Sequence, residues 1–381
     1  MSHIHIRSSA EVDQVQEDLA SAARIALDCE AAGFHRYSDR LCLVQLTVGP
    51  RTYVIDPLAF DISELLRGPL EGTEPRVVMH GADFDLRLLS RDLGIRLRGL
   101  VDTQIYAALA GEKSLGLQSL LESRLGVTLS KKYQRADWAE RPLSDAMLAY
   151  AANDTRYLEQ LVDLLGEELD ALGRRAWAEE ECRALETVAD EPQDEGEPED
   201  PVVRVKGARD LSPRQVTALR EALAWRDEIA QEKDRALFRV VGDKPLVEAV
   251  ARRPRRAEEL REIRGFPKDL ARTHGKDLVK RLNAVADLPD DALVPYPRGV
   301  RTGPGRPLPE EEVLIERIKS VRNATAKALD LPRGTVLANA VIAGIARAAP
   351  SSFDELLEVD GMRRWKVELL GERVLEAVGR S

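Results

Sequence analysis

The sequence predicts an α/β domain built on a mixed sheet with helices, followed by two small all-α domains. Three observations carry this. Strand-like runs crowd the first 80 residues and helical periodicity follows them; two strongly polar segments interrupt the chain; and the stretches after the first interruption repeat each other at a constant offset. At roughly 100–200 residues per domain, a chain of 381 residues holds two or three.

Ile25–Leu27, Leu41–Val48, Thr52–Ile55 and Val77–Met79 are apolar, strand-like runs, and the first three lie close enough for an antiparallel meander. Helical spacing then takes over at Asp85–Leu93, Thr103–Leu109 and Leu117–Leu125. It continues in one long run from Ser144 to about Leu172, where Ser144 ahead of Asp145 is the expected N-cap. The first domain is expected to span residues 1–188. Residues 189–210 read as an acidic linker and connector: from Ala189 to Pro201 the alanine is the one apolar side chain, and three prolines intervene. Such a segment cannot bury enough surface to order itself. A second linker is expected at 287–308, where six prolines and three glycines fall between Leu288 and Pro309.

The helical domains are expected at 211–286 and 309–381, and they are duplicates. At an offset of 96, Arg226, Ala230, Asp234, Pro254, Leu260, Glu262 and Gly265 recur as Arg322, Ala326, Asp330, Pro350, Leu356, Glu358 and Gly361. Apolar positions follow the same register: Leu246, Ile263 and Leu278 recur as Ile342, Val359 and Val374.

Charge divides along the same lines. The net charge of −10 conceals 35 Lys/Arg against 28 Asp/Glu from Val202 onward, which leaves 21 against 38 of the chain's 56 and 66 for the residues before it. An acidic front and a basic rear suit a catalytic body carrying a polyanion-binding part. No apolar stretch approaches the ~20 residues that span a bilayer, and Met1–Arg7 shows no signal core. Cys29, Cys42 and Cys182 form no metal-type pair, so reduced thiols in a cytoplasmic protein are expected.

Four carboxylates and a tyrosine carry the chemistry. Asp28 and Glu30 lie in the apolar run Arg24–Gly33; two apart in a strand, they share a face while Cys29 turns away. Asp85 directly follows Phe84 at a helix start, where Asp83 competes with it and either carboxylate suits the helix dipole. Tyr150 and Asp154, four apart, share one helix face, and alone they read equally well as a solvated edge. Burying Asp28 and Glu30 without a partner is costly. A like-charged cluster drawn out of water needs cations, and oxygen-only ligands suit Mg²⁺ or Mn²⁺.

Asp-x-Glu, then Phe-Asp after an apolar strand, then Tyr-x-x-x-Asp on a late helix resembles the DEDDy 3′→5′ exonucleases. The duplicated rear, each copy similar to the HRDC domain, narrows the resemblance to the ribonuclease D family over nearly the whole chain. The resemblance implies a ribonuclease H-like exonuclease domain followed by two HRDC-like domains. It implies two divalent ions about 3.5–4 Å apart clamping the scissile phosphate, one activating a water and the other stabilising the departing 3′-oxygen. Asp28 would bridge both ions, Glu30 and Asp154 would complete the nucleophile side, and Asp85 would support the second ion largely through water. Tyr150 would orient the attacking water, since a phenol with a pKa near 10 positions better than it accepts protons at pH 7. The family's other branch has histidine one residue nearer the last aspartate; here that residue is Ala151.

Substrate contacts follow from the same resemblance. Gly33 and Phe34 would hold the terminal nucleotide, Gln45 and Trp138 would line the site, and His80, at a strand end, would be structural or touch that nucleotide. Trp138 closes the run Lys131–Trp138, where cations mix with aromatics as in single-strand binders; a core tryptophan reads nearly as well. His3, His5, His35 and His274 have no ligand spacing. In the first repeat Arg252, Arg253, Arg255 and Arg256 are candidates for RNA phosphates. The second repeat carries Ala348, Ala349, Ser351 and Ser352 there, so packing or positioning is its expected task.

The expected function is a 3′→5′ exoribonuclease, dependent on Mg²⁺ or Mn²⁺, that releases 5′-nucleotides. Its expected substrate is RNA with a free 3′ end, above all precursors of tRNA and small structured RNAs. No membrane or protein partner is implied, and a cytoplasmic monomer is expected. The same carboxylates would serve single-stranded DNA, and a non-catalytic RNA-binding scaffold is the rival of another class. Paired HRDC-like modules favour RNA; the complete set of five motif residues favours catalysis.

Overall fold

The computed structural model describes residues 3–187, 200–297 and 307–379. Strands β1 (Ile4–Ile6), β2 (Arg24–Ala31), β3 (Leu41–Val48), β4 (Arg51–Ile55), β5 (Arg76–Met79) and β6 (Leu100–Asp102) form one sheet. Their order is β1-β4-β3-β2-β5-β6. β3 runs antiparallel to β2 and β4, and the other pairs are parallel, so the sheet is mixed. All eight residues of β3 are buried, which matches its nearly unbroken apolar sequence. The expected strands and their meander are present. β1 and β6, which the sequence reading missed, have three residues each, too few to display a period.

Helices α1 (Asp13–Ser21), α2 (Ser63–Glu71), α3 (Asp83–Leu93), α4 (Thr103–Ala110), α5 (Leu117–Leu125), α6 (Asp145–Arg156), α7 (Leu158–Ala171) and α8 (Arg175–Glu186) complete this domain. The helical run expected from Ser144 to about Leu172 is two helices. Tyr157, at φ −109° and ψ 1°, separates α6, packed on β2, β3 and β4, from α7, packed on β2 and β5. Ser144 caps α6 as expected, its hydroxyl accepting from the Met147 amide.

The first helical domain holds α9 (Pro213–Glu232), α10 (Leu237–Val240), α11 (Asp243–Arg252), α12 (Lys268–Thr273) and α13 (Gly275–Ala286). The second holds α14 (Pro309–Leu329), α15 (Arg333–Val336), α16 (Asn339–Ala348), α17 (Phe353–Leu357) and α18 (Arg364–Gly379). Their duplication reaches individual hydrogen bonds. Buried Arg226 donates to the Val241 carbonyl and to Asp243; buried Arg322 donates to the Leu337 carbonyl and to Asn339, 96 residues on. Asp234 and Asp330, Arg253 and Ala349, and Gly265 and Gly361 all take positive φ.

The first helical domain is wider than the expected 211–286. Val202, Val205 and Ala208 are buried in its core, and Leu288 and Tyr296 pack against it. Arg214 donates to the carbonyls of Val285, Ala286 and Leu288. Residues 200–210, expected as connector, and 287–297, expected as linker, therefore belong to this domain. Their acids and prolines mask a few well-spaced apolar side chains. The remainder of both linkers lies outside the described residues.

Both helical domains dock on the α/β body through the same turn. In the first, Asp234 pairs with Arg36 (3.7 Å) and Arg40 (3.4 Å), and the Ala236 amide donates to the His35 carbonyl (3.0 Å). In the second, the Leu329 carbonyl accepts from Arg174 (2.8 Å). Trp365 of α18 also stacks on Trp177 of α8, with ring centroids 4.7 Å apart. Among the described residues, no helix is long and apolar enough to cross a membrane.

Candidate active site

Pairing register delivers the first two carboxylates. Asp28 stands opposite Gln45 and Glu30 opposite Leu43, on one sheet face; Cys29 stands opposite Val44 on the other, where both join the larger core. A register shift between Glu30 and Ala31 bends the strand just past the second carboxylate. α6 crosses this face and brings Tyr150 and Asp154. A buried row of hydroxyls pins it, Thr155 to Thr47 at 2.8 Å and Thr47 to Thr52 at 3.0 Å. Asp85 enters from the first turn of α3. The preceding loop is clamped by Asp102, the N-cap of α4, which accepts from the amides of Gly81 (3.0 Å), Ala82 (2.8 Å) and Gln104 (2.7 Å). Gly81 sits at φ +68°, a conformation that a Cβ would strain.

Carboxylate oxygens of Asp28, Glu30 and Asp154 all lie within 4.8 Å of one another. Asp85 is outside this trio and buried. Burial pushes Asp28 up to about 7 and, with the Asp28 charge added, Asp154 up to about 8. Glu30 is driven well above the usual carboxylate range by burial and then by Asp28, Asp154 and Asp85. Asp85 is driven well above it by burial, Asp28 and Asp102. Among the described residues none of the four forms an ion pair with Arg or Lys. Burial, followed by the charges of Asp154, Glu30 and Asp28, also raises the Tyr150 phenol and keeps it protonated.

A cavity of about 500 Å³ opens over the trio, bordered by His80, Lys131, Gln134 and the start of α5. α5 begins behind Gly116 with no side-chain cap, so its first amides are available to a phosphate. The donor set fits divalent cations: oxygen only, clustered, half-buried and, among the described residues, in no ion pair with Lys or Arg. The exonuclease fold implies use of such ions, and this is where they would bind.

The other expected contacts scatter. Trp138 does not line the cavity. It is 2% exposed and lies behind Tyr150, ring centroids 6.1 Å apart, where it supports that ring as a core residue. Gln45 is wholly buried on the Asp28 face, with neither amide atom hydrogen-bonded. Gly33 and Phe34 stand outside the cavity. The Gly33 amide donates to Asp39 (2.8 Å), and a Cβ there would lie 2.3 Å from the accepting oxygen, so a larger residue would displace the Asp39 side chain. His80 borders the cavity and its Nδ1 bonds Thr103 (2.8 Å); burial lowers its pKa. Arg252, Arg253 and Arg255 border a separate cavity of about 420 Å³ with Arg214, in the first helical domain; Arg256 lies outside it and pairs with Glu259. Sequence reasoning missed Asp102, the Thr47–Thr155 contact and the start of α5. Gly116 before a helical period was the one available signal.

A 3′-5′ exonuclease family model matches residues 4–170, and the HRDC domain model matches 215–282 and 311–378. A ribonuclease D of Xanthomonas oryzae pv. oryzae is 33% identical over 343 residues, 88% of this chain and 88% of that protein. The crystal structure of Escherichia coli RNase D, described as an exoribonuclease involved in structured RNA processing, matches with a TM-score of 0.67 and 26% identity, covering 99% of each chain. A protein from Bifidobacterium adolescentis matches with a TM-score of 0.79 and 25% identity, over 99% of this chain and 97% of that one. With these matches running along most of its length, the chain belongs to the ribonuclease D family of 3′→5′ exoribonucleases.

Proposed function

We propose that this exoribonuclease releases 5′-nucleotides one at a time with two divalent ions, Mg²⁺ or Mn²⁺, held by Asp28, Glu30, Asp85 and Asp154. Its substrates would be 3′-extended precursors of tRNA and other small structured RNAs. One observation carries the reading: the carboxylates of Asp28, Glu30 and Asp154 gather within 4.8 Å, half-buried and, among the described residues, in no ion pair with Lys or Arg, below an open cavity. Divalent ions bound there supply positive charge to the scissile phosphate and to the oxygens that attack and leave. Asp28, a member of the trio whose charge also reaches Asp85, would help to hold both ions. Glu30 and Asp154 would hold the ion on the nucleophile side, and Asp85 would support the second ion largely through water.

Tyr150, kept protonated, orients the attacking water through its hydroxyl rather than accepting its proton. Lys131 and the first amides of α5 suit the phosphates of the last nucleotides. The arginines at 252, 253, 255 and 256 suit phosphates of the RNA body. The E. coli relative's role in structured RNA processing supports the substrate class. A cytoplasmic monomer, with its three buried thiols reduced, completes the reading.

The test presents equal concentrations of 3′-extended tRNA, unstructured RNA and single-stranded DNA with Mg²⁺ or Mn²⁺, resolved as a nucleotide ladder. The expected result is stepwise shortening of the tRNA extension with 5′-mononucleotide products and little loss of DNA. Preferential loss of DNA would make the chain an exodeoxyribonuclease. Binding of RNA without any product would make it a scaffold.

A further inference from the structure

We infer that the first helical domain completes the substrate path: Phe238 and Arg239 join Phe34 and Arg135 in a stacking site for unpaired nucleotides upstream of the 3′ end. The inference rests on the exoribonuclease reading above and adds residues from outside the catalytic domain to it. Phe34 leaves β2 four residues beyond Glu30, and its ring is 40% exposed. Phe238, on α10 of the helical domain, is 54% exposed, and its ring centroid lies 5.5 Å from that of Phe34. The Arg239 guanidinium lies 4.7 Å from the Phe34 centroid and 5.8 Å from that of Phe238. On the catalytic side, the Arg135 guanidinium is 5.5 Å from the Phe34 ring. Two exposed rings, Phe34 beside both guanidiniums and Phe238 beside that of Arg239, offer a platform on which bases of any sequence can stack.

Three further facts make this a site for RNA rather than domain glue alone. Lys131 and Gln134 border the cavity over the carboxylates, and Arg135 is the next residue, so one short segment links the cavity to the platform. Neither Arg135 nor Arg239 is paired with a carboxylate among the described residues, whereas Arg36 and Arg40, a few residues away, are both paired with Asp234; Arg239 also donates from Nε to the Phe34 carbonyl (2.7 Å), which holds its guanidinium beside that ring. The second helical domain supplies an internal control. At the offset of 96, Phe238 and Arg239 become Gly334 and Thr335, in a helix of the same length. The fold therefore does not require the aromatic and the cation; they occur in the copy docked beside β2. Docking is also secured without Phe238, since Tyr37 donates to Asp227 (3.0 Å) and the Ala236 amide donates to His35.

The test compares wild type, Phe238→Ala and Phe238→Trp on a dinucleotide and on an unstructured eight-nucleotide RNA with Mg²⁺. The octamer also carries 2-aminopurine near its 3′ end, read by fluorescence in EDTA to prevent hydrolysis. For Phe238→Ala we expect KM for the octamer to rise about tenfold, with unchanged kcat, unchanged dinucleotide kinetics and unchanged melting temperature. Quenching of 2-aminopurine on binding should fall in Phe238→Ala and return in Phe238→Trp. An unchanged octamer KM, or equal losses on both lengths, would overturn the platform. Failure of the wild type to shorten either RNA would instead overturn the catalytic reading on which it rests.

Discussion

Asp28, Glu30, Asp85 and Asp154 are unfavourable to fold and useful once folded. Each is raised above its usual range, chiefly by burial, and among the described residues none is in an ion pair with Arg or Lys. A carboxylate whose folded pKa exceeds its unfolded one, near 4, binds more protons in the folded state, so stability falls as pH rises between the two values. With Asp28 at about 7 and Asp154 at about 8, the metal-free protein should lose melting temperature steadily from about pH 4 to about pH 8. Saturating Mg²⁺ should restore it, by about 5 °C or more at pH 8 and far less at pH 5. Equal gains at both pH values in a thermal-shift series would mean that the ions bind elsewhere. Tyr150→Phe should leave this metal-dependent gain intact while slowing single-turnover hydrolysis by roughly 10–10³-fold. Loss of the metal response with an unchanged rate would reassign the tyrosine to holding ligands.

At the scale of elements, β2 is the part that local periodicity describes best. Asp28 and Glu30 share a face, and Cys29 turns into the opposite core, as alternation requires. Cys29→Ala should therefore cost about 1 kcal/mol of packing and leave turnover unchanged. A large drop in turnover at an unchanged melting temperature would show that the thiol faces the site. The spacing of Tyr150 and Asp154 was readable for the same reason, since neighbours on one helix are set within one turn.

What the sequence hid was set over longer distances. Trp138 followed a run of cations and aromatics that suits a substrate contact, yet the fold buries it behind Tyr150. Asp102 joins two turns about 20 residues apart, and no local period reveals such a clamp. Tyr157 divides what reads as one helix because α6 packs into one hydrophobic core and α7 into another. Val202, Val205 and Ala208 were masked by the acidic run before them.

Across the whole molecule, duplication followed by divergence separates two tasks. The first copy carries the arginine cavity, whereas the second carries Trp365, seated on Trp177 of the catalytic domain. Replacing Arg252, Arg253, Arg255 and Arg256 by the Ala, Ala, Ser and Ser of the second copy should flatten the log–log salt dependence of tRNA binding by about two or more, each phosphate contact contributing roughly 0.7–0.9. Deleting the second copy from about Gly303 should leave that slope nearly unchanged. Kd values between about 50 and 300 mM KCl separate the two outcomes, and equal slopes for wild type and the fourfold variant would make the arginines a solvated face. The most direct measurement concerns the shared ligand: single-turnover hydrolysis of a 5′-labelled, 3′-extended RNA with Mg²⁺ by wild type and Asp28→Asn, with melting curves alongside. Wild type should give a ladder descending one nucleotide at a time. Asp28→Asn should be slower by about 10³-fold or more, ~4 kcal/mol of transition-state stabilisation, yet melt no lower without metal because one buried charge is gone. A folded Asp28→Asn protein that cleaves at near the wild-type rate would contradict a two-ion centre built on this carboxylate.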